Sequence, residues 1–548
     1  MADYTKTNKY LLFVFILITF HLVANIIWIS LNATPPTWDA SLHTVLSIKY
    51  LEYLNSNLIN FNFFDFLKIS QYYPPFVHWV GSLFAFISNN EYKAVALSGT
   101  LFFSLSIYFL YLYTNELFQN KRVAFLTSFF FSFFLTIYQQ SRQHMLDIPL
   151  TALIITGAYF LKKTDSFKNT TCSILFFLIF SLAFLTKWYS VIYFLVPLLF
   201  TFLHDLSNKR INRSYLSTCL WGFIIFILVT GPWYLTNLTK ILEVVKITST
   251  AEFWNPQDLF SLANLFFHLK LTIMFQITFL GFAFFLLSVG LLSRSRHYQK
   301  VTLLILSVIV FNYLFFTMIS NKNVRYLMPL TPFFAMIMGF GADLLVSNKN
   351  KLISFLVILI IPYYILTYLI LSFGIPVKPT YKYSANLPLI EWTDLLYLHT
   401  YPVRIYYQSK DTPYKRILED LFSKKEGPIR VLILKDTEDL NNGVLDPYLY
   451  PEFRLRRSDF NYVGYDLLEG KVTDEQISNF LKEKVDIVLV AASNPGLRDY
   501  IREYDSLIRF QKYFLDNKAL MFELTNQYEL PGDNYYPPDT LLLYKKTS

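Results

Sequence analysis

Five short stretches of an otherwise apolar chain hold side chains able to do chemistry. TPPTWDASLH (34–43) carries Asp39 and His43, four residues apart and so on one face of a helix that Thr37 can cap. QYYPPFVHW (71–79) carries Tyr73 and His78, and SRQHMLDIPL (141–150) gathers Arg142, His144 and Asp147 at the mouth of an apolar run. LTKWYS (185–190) puts Lys187 inside an apolar stretch, and NKNVRYLMPLTPFF (321–334) begins with Lys322 and Arg325. A carboxylate can take a proton as a general base, and lysine or arginine can hold a phosphate oxygen. Each stretch also has a bland reading: a favourable acid in a first helical turn, an interfacial aromatic, a snorkelling cation. Charge near a bilayer costs free energy, so the gathering of ionisable residues at the ends of apolar runs is informative.

The elements that carry these residues follow from composition. Of 548 residues 54% are hydrophobic, 19% aromatic and 16% charged, against about 25% charged in soluble domains. Residues 1–373 hold 25 basic and 13 acidic side chains, a net +12, which leaves 23 basic and 26 acidic, a net −3, for 374–548. This excludes a single soluble enzyme, a disordered chain and a nucleic-acid binder with one basic face. The two cysteines, Cys172 and Cys219, lie in apolar runs and support neither a disulfide framework nor a thiolate metal site. The chain reads as an α-helical polytopic membrane protein, 1–373, with a small extracytoplasmic α/β domain, 374–548.

Apolar runs occur at 10–31, 91–113, 123–139, 147–162, 171–186, 188–204, 215–236, 263–292, 301–319, 326–346 and 352–373, which predicts about 11 spans. Lys6, Lys9, Lys121, Arg122, Lys162, Lys163, Lys168, Lys209, Arg210, Arg213, Arg294, Arg296, Lys300, Lys349 and Lys351 then fall on one side, the cytoplasm. The first outer loop, 32–90, the 140–146 turn, the Lys187 turn, the 237–262 loop, the 320–325 loop and the tail face outward. Residues 75–89 are short for a span and read as a helix in the outer interface, with Trp79 at headgroup depth. In the tail, 431–435, 485–493, 520–524 and 540–546 read as strands and 473–484 as a capped helix. Neither part has a glycine-rich phosphate loop.

WDASLH, YYPP, SRQHMLDIPL, LTKWYS and VRYLMPLTP, in that order, resemble the polyprenyl-phosphate-dependent GT-C glycosyltransferases. The likeness is to the protein O-mannosyltransferase and aminoarabinose-transferase group, over residues 1–373. Two departures stand out: Ala40 follows Asp39 where mannosyltransferases have Asp-Glu, and Tyr72–Tyr73 replace the Glu-Lys before Pro-Pro of aminoarabinose transferases. The resemblance implies a hexosyl or pentosyl transferase of a bacterial plasma membrane. Its donor would be a polyprenyl-phosphate-linked sugar and its acceptor a hydroxyl on a lipid, glycan or protein. Asp39 is then the base, and Asp147 an acid that either supports the site from behind or orients the acceptor. Lys187, Arg325 and Lys322 are phosphate contacts, and Tyr73, His43, His78 and Arg142 stand in the site wall. No cofactor is assigned, and a divalent metal is left open without residues that indicate one. A phosphate leaves on cations without a general acid, and in-line displacement inverts the anomeric carbon. The alternatives are a lipid-linked-sugar flippase and an oligosaccharide ligase using a diphosphate donor.

Overall fold

Apolar segments cannot leave backbone groups unpaired in a hydrocarbon layer, so they close as helices. The computed structural model describes residues 9–88, 92–250, 260–319, 322–347, 351–374, 412–422, 429–434, 445, 460–462, 473–492, 505–518, 521–530 and 539–547. Lys6 and Lys349, both used to orient the chain, lie outside the described residues, as does most of 374–412 around the expected domain boundary. The helices are α1 (Lys9–Leu31), α2 (Trp38–Asn57), α3 (Phe63–Lys68), α4 (Phe76–Ile87), α5 (Tyr92–Phe118), α6 (Lys121–Ser132), α7 (Leu135–Gln140) and α8 (Asp147–Lys163). They continue as α9 (Thr170–Phe184), α10 (Val191–Ser207), α11 (Arg213–Thr250), α12 (Leu262–Leu271), α13 (Phe279–Ser293), α14 (Gln299–Met318), α15 (Thr331–Val346) and α16 (Lys351–Phe373).

Each of the eleven apolar runs is helical, but not each is one helix. Among the described residues six helices are long and apolar enough to cross a membrane, or seven if one bent pair counts as a span. The run at 123–139 breaks at Phe134, whose ψ of 134° is extended, and so divides into α6 and α7. The run at 263–292 breaks more sharply: α12 continues through a π turn to Gln276, then the chain bends by 112° into α13. Polar contacts inside the protein make that break tolerable: Gln276 Nε2 donates to Val324 O at 2.8 Å and Thr136 Oγ1 donates to Phe275 O. The expected 237–262 loop is also corrected, because α11 continues as helix to Thr250.

The core of this helical part is built from α5, α6, α8 and α15, whose buried Phe, Tyr, Ile and Leu side chains form one cluster. Small residues set the closest approaches, as in many membrane helix pairs. A Cβ on Gly339 would lie 2.7 Å from the backbone nitrogen of Thr127, so α15 seats on α6 only with glycine there.

The tail forms a five-stranded sheet, β1 (Ile429–Leu434), β2 (Phe460–Tyr462), β3 (Ile487–Ala491), β4 (Phe522–Leu530) and β5 (Asp539–Lys546), in the order β2-β1-β3-β5-β4. β2, β1 and β3 run parallel, while β5 and β4 are antiparallel. The helix at Asp474–Lys484 has the capping box foreseen from TDEQ, with Thr473 and Gln476 exchanging bonds. Strand β2 and the helices 414–422 and 505–517 were not foreseen. Tyr414, Ile417, Leu418 and Leu421 share a buried cluster with Val45, Ile48 and Leu51 of α2, Ala85 of α4 and Val95 of α5. The tail therefore rests on the helix that carries Asp39.

Candidate functional site

Asp39 stands in the first turn of α2. Thr37 is the N-cap residue by its extended backbone (φ −123°, ψ 159°), but its hydroxyl makes no capping bond. Trp38 has φ 45°, a left-handed conformation that strains a bulky side chain, and such strain gathers where function needs a particular geometry. Asp147 is the first residue of α8, whose N-terminus favours an acid. Lys187 is the extended residue between α9 and a short 3-10 turn (Trp188–Ser190), and Arg325 is the second residue of the 3-10 segment Val324–Leu330.

These four side chains, from four separate elements, form one chain of ion pairs. Lys187 Nζ lies 2.6 Å from Asp147 Oδ1, Arg325 Nη1 3.6 Å from Asp147 Oδ2, and Arg325 Nη2 2.6 Å from Asp39 Oδ2. Asn323 steadies the guanidinium, its Oδ1 accepting from Arg325 Nε at 3.2 Å. The two acids differ in access: the side chain of Asp147 is 1% exposed and that of Asp39 43%.

Histidines pack behind Asp39. His43 Nδ1 and His78 Nε2 are 3.0 Å apart, so one of these nitrogens donates and the other accepts. Tyr73 meets His43 edge-on with ring centroids 4.8 Å apart. His144, unassigned above, joins α2 to α5 through Ser47 Oγ (2.7 Å) and Ser98 Oγ (2.6 Å). Burial, helped by His144, Lys187 and Arg325, holds His43 well below its ordinary range, and burial lowers His144 to about 3. Both are neutral imidazoles at physiological pH. Burial and then Asp39 push the Tyr73 hydroxyl well above its usual value.

Two expected contacts lie elsewhere. Arg142 is buried, donating from Nε to Asn25 Oδ1 (3.1 Å) and from Nη2 to Ser372 Oγ (2.8 Å), with Trp28, Tyr138 and Tyr368 rings 5.3–5.4 Å away. It ties α1 to α16 and, with Trp28, Asn32, Thr37, Lys93 and His144, lines a cavity. Lys322 turns onto the carbonyls of Phe316 and Thr317 at the end of α14, and burial lowers its amine to about 8. Tyr189 and Tyr326 were not singled out. Lys187 Nζ is 5.5 Å from the Tyr189 ring centre, and the two rings meet edge-on at 5.5 Å. The only signal was their adjacency to Lys187 and Arg325, which interfacial aromatics share. Among the described residues no group of three His, Cys, Asp or Glu is disposed to hold a metal ion.

Residues 73–234, which include Tyr73, His78, Arg142, Asp147 and Lys187, match the family model described as dolichyl-phosphate-mannose-protein mannosyltransferase. The fold is similar to that of ArnT from Cupriavidus metallidurans crystallised with undecaprenyl phosphate: TM-score 0.58, 13% identity, 97% of this chain and 98% of that one. This is a GT-C glycosyltransferase fold. The GT-C likeness extends to the same ArnT in its apo state (TM-score 0.57, 12% identity, 97% of each chain). It extends also to the Archaeoglobus fulgidus oligosaccharyltransferase, with TM-score 0.51 and 14% identity over 89% of this chain and 70% of that one. No curated protein matches the sequence significantly. The GT-C resemblance drawn from five short motifs is thus borne out.

Proposed function

We propose that this protein is an integral-membrane glycosyltransferase that moves a sugar from a polyprenyl-phosphate donor to a hydroxyl acceptor at the outer face, with inversion. The observation that carries the reading is the ion-pair chain Asp39–Arg325–Asp147–Lys187, assembled at one end of the helical part. α8 separates this end from Lys163 by 17 residues, about 25 Å at the helical rise. In this reading residues 1–373 are the transferase, the site end faces outward and 374–548 caps it.

The chemistry follows from access and charge. Asp147 is buried between two cations, so it serves to hold Lys187 and Arg325 together. Asp39 is the carboxylate an acceptor can reach, and it takes the hydroxyl proton as that oxygen attacks the anomeric carbon. The bond from that carbon to the donor phosphate breaks, and the oxygen leaves with its electron pair, stabilised by Lys187 and Arg325. The ArnT of similar fold was crystallised with undecaprenyl phosphate, which supports a monophosphate-linked donor.

The test is transfer by the purified full chain from polyprenyl-phosphate sugars. Asp39→Asn retains the size of the side chain and removes its basicity, so transfer falls by at least about 10²-fold. If Asp147→Asn abolishes transfer while Asp39→Asn stays active, the roles are reversed. If both variants transfer at the unmodified rate, the reading fails. Donors linked through diphosphate are the control for the ligase alternative, and are inert if the reading holds.

A further inference from the structure

Arg325 is wanted in two places at different moments of the proposed reaction. Its Nη2 lies 2.6 Å from Asp39 and its Nη1 3.6 Å from Asp147. A base whose carboxylate is held on a guanidinium is a poor proton acceptor, because the opposite charge favours its ionised form. The same guanidinium is the better-placed fork for two phosphate oxygens, which it can hold in parallel. The geometry favours a swing. Asn323 anchors Arg325 at its Nε edge through a 3.2 Å bond, which leaves Nη1 and Nη2 directed at the carboxylates. Of the two contacts, that to Asp39 is on the open side, since Asp39 is 43% exposed and Asp147 1%. Solvent weakens the first pair, while the buried one persists.

We infer that Arg325 couples the two substrates: the donor phosphate draws its guanidinium from Asp39, and the carboxylate so released then accepts the acceptor's proton. This rests on Asp39 being the base. Donor binding and base activation become one event, so the hydroxyl is deprotonated only beside a sugar ready to receive it. The proton ends on the Asp39 carboxylate, the new bond joins the acceptor oxygen to the anomeric carbon, and polyprenyl phosphate departs with the bonding pair. Among the described residues, several titratable groups stand around Asp39. Arg325 comes from the 3-10 segment and Tyr73, with a hydroxyl protonated at neutral pH, from the loop before α4. His43, one turn along α2, is neutral, and Lys187 and Asp147 lie behind Arg325.

Asp39→Asn no longer competes for Arg325, so the full-length protein should bind a polyprenyl methyl phosphate, a diester of one fixed charge, more tightly than the unmodified chain. The gain is about two- to fivefold, the range of a partly exposed ion pair, and Arg325→Gln introduced alongside should erase it. The unmodified protein supplies a second readout. Removing Arg325 from Asp39 raises that carboxyl's pKa, so binding takes up a fraction of a proton in the acidic range, and affinity rises as pH falls through it. Calorimetry in buffers of different ionisation heat measures that uptake, which Asp39→Asn should lack. Equal or weaker binding by Asp39→Asn, or no proton uptake by the unmodified protein, overturns the coupling. An Asp39→Asn protein that still transfers sugar overturns instead the assignment of the base.

Discussion

At the scale of single residues, Lys187 is a cation on which stability depends. Its amine neutralises an aspartate that is 1% exposed, so removing it leaves charge buried with one more distant partner, Arg325 at 3.6 Å. Breaking a buried pair from one side costs about 3–5 kcal/mol. Lys187→Met should therefore lower the melting temperature and weaken donor binding. Adding Asp147→Leu should restore much of the melting temperature without restoring binding; recovery of both would mean that the pair serves packing alone. Lys322 gives the contrast. Its amine sits on the carbonyls closing α14, so Lys322→Gln should perturb stability and leave donor affinity within about twofold, as lost capping bonds do. A large loss of donor affinity on that substitution would return Lys322 to the phosphate site. Residue type and position identified Asp39, Asp147, Lys187 and Arg325, because an ionisable group beside an apolar run is conspicuous. Nothing local told Lys322 from Arg325, three residues on, since the direction of a long side chain is set by what packs around it.

At the scale of elements, the site depends on how closely α5 approaches the turn that carries Arg142 and leads into Asp147. A Cβ on Gly99 would fall 2.3 Å from the carbonyl oxygen of Gln143 and 3.0 Å from that of Ser141. Both are backbone atoms, so the turn has to move. Gly99→Ala should destabilise by about 1–3 kcal/mol, as overpacking does, and should reduce transfer more than Ala substitution at the exposed Leu101 of the same helix. Equal transfer by the two variants would show that the position of the turn does not matter. The periodicity of the apolar residues revealed these helices, since hydropathy is a property of a local window. It did not reveal the breaks at Phe134 and Gln276, where contacts from Thr136 and to Val324 compensate for the interrupted helix. Such compensation depends on residues far away in sequence.

At the scale of the whole molecule, the two ends of the helical part are chemically distinct. Arg122 pairs with Asp343, Lys163 with Glu116 and Arg210 with Asp165 at one set of helix ends, while Asp39, Asp147, Lys187 and Arg325 meet at the other. With the first set cytoplasmic, single cysteines placed at Lys121 or Arg210, after Cys172 and Cys219 are replaced, should resist labelling by an impermeant reagent applied outside, whereas a cysteine at Lys512 in the tail should react. Reaction of the tail only after the membrane is opened would invert the orientation. The tail's contact with α2 gives a second expectation. Ile417→Asp charges a fully buried position of the cluster shared with Val45 and Ile48, so it should loosen the tail and lower transfer while donor binding is retained. Unchanged transfer would limit the tail to a role other than supporting α2.

The sequence by itself determined the class of molecule, the helical runs and the stations of acid and base at the ends of those runs, because burial of apolar side chains and the cost of charge act within a few residues. It also determined four of the five described strands and the capping box of the tail, where alternation and Thr473–Gln476 spacing are local. Only the tertiary structure decided which stations meet. Asp39 and Arg325 are separated by 286 positions, Arg142 and Ser372 by 230. The first pair lies in the ion-pair chain, whereas the second ties α1 to α16 and takes Arg142 out of it. Ion pairing falls off within a few ångströms and depends on side-chain direction, and both are fixed by how the helices pack.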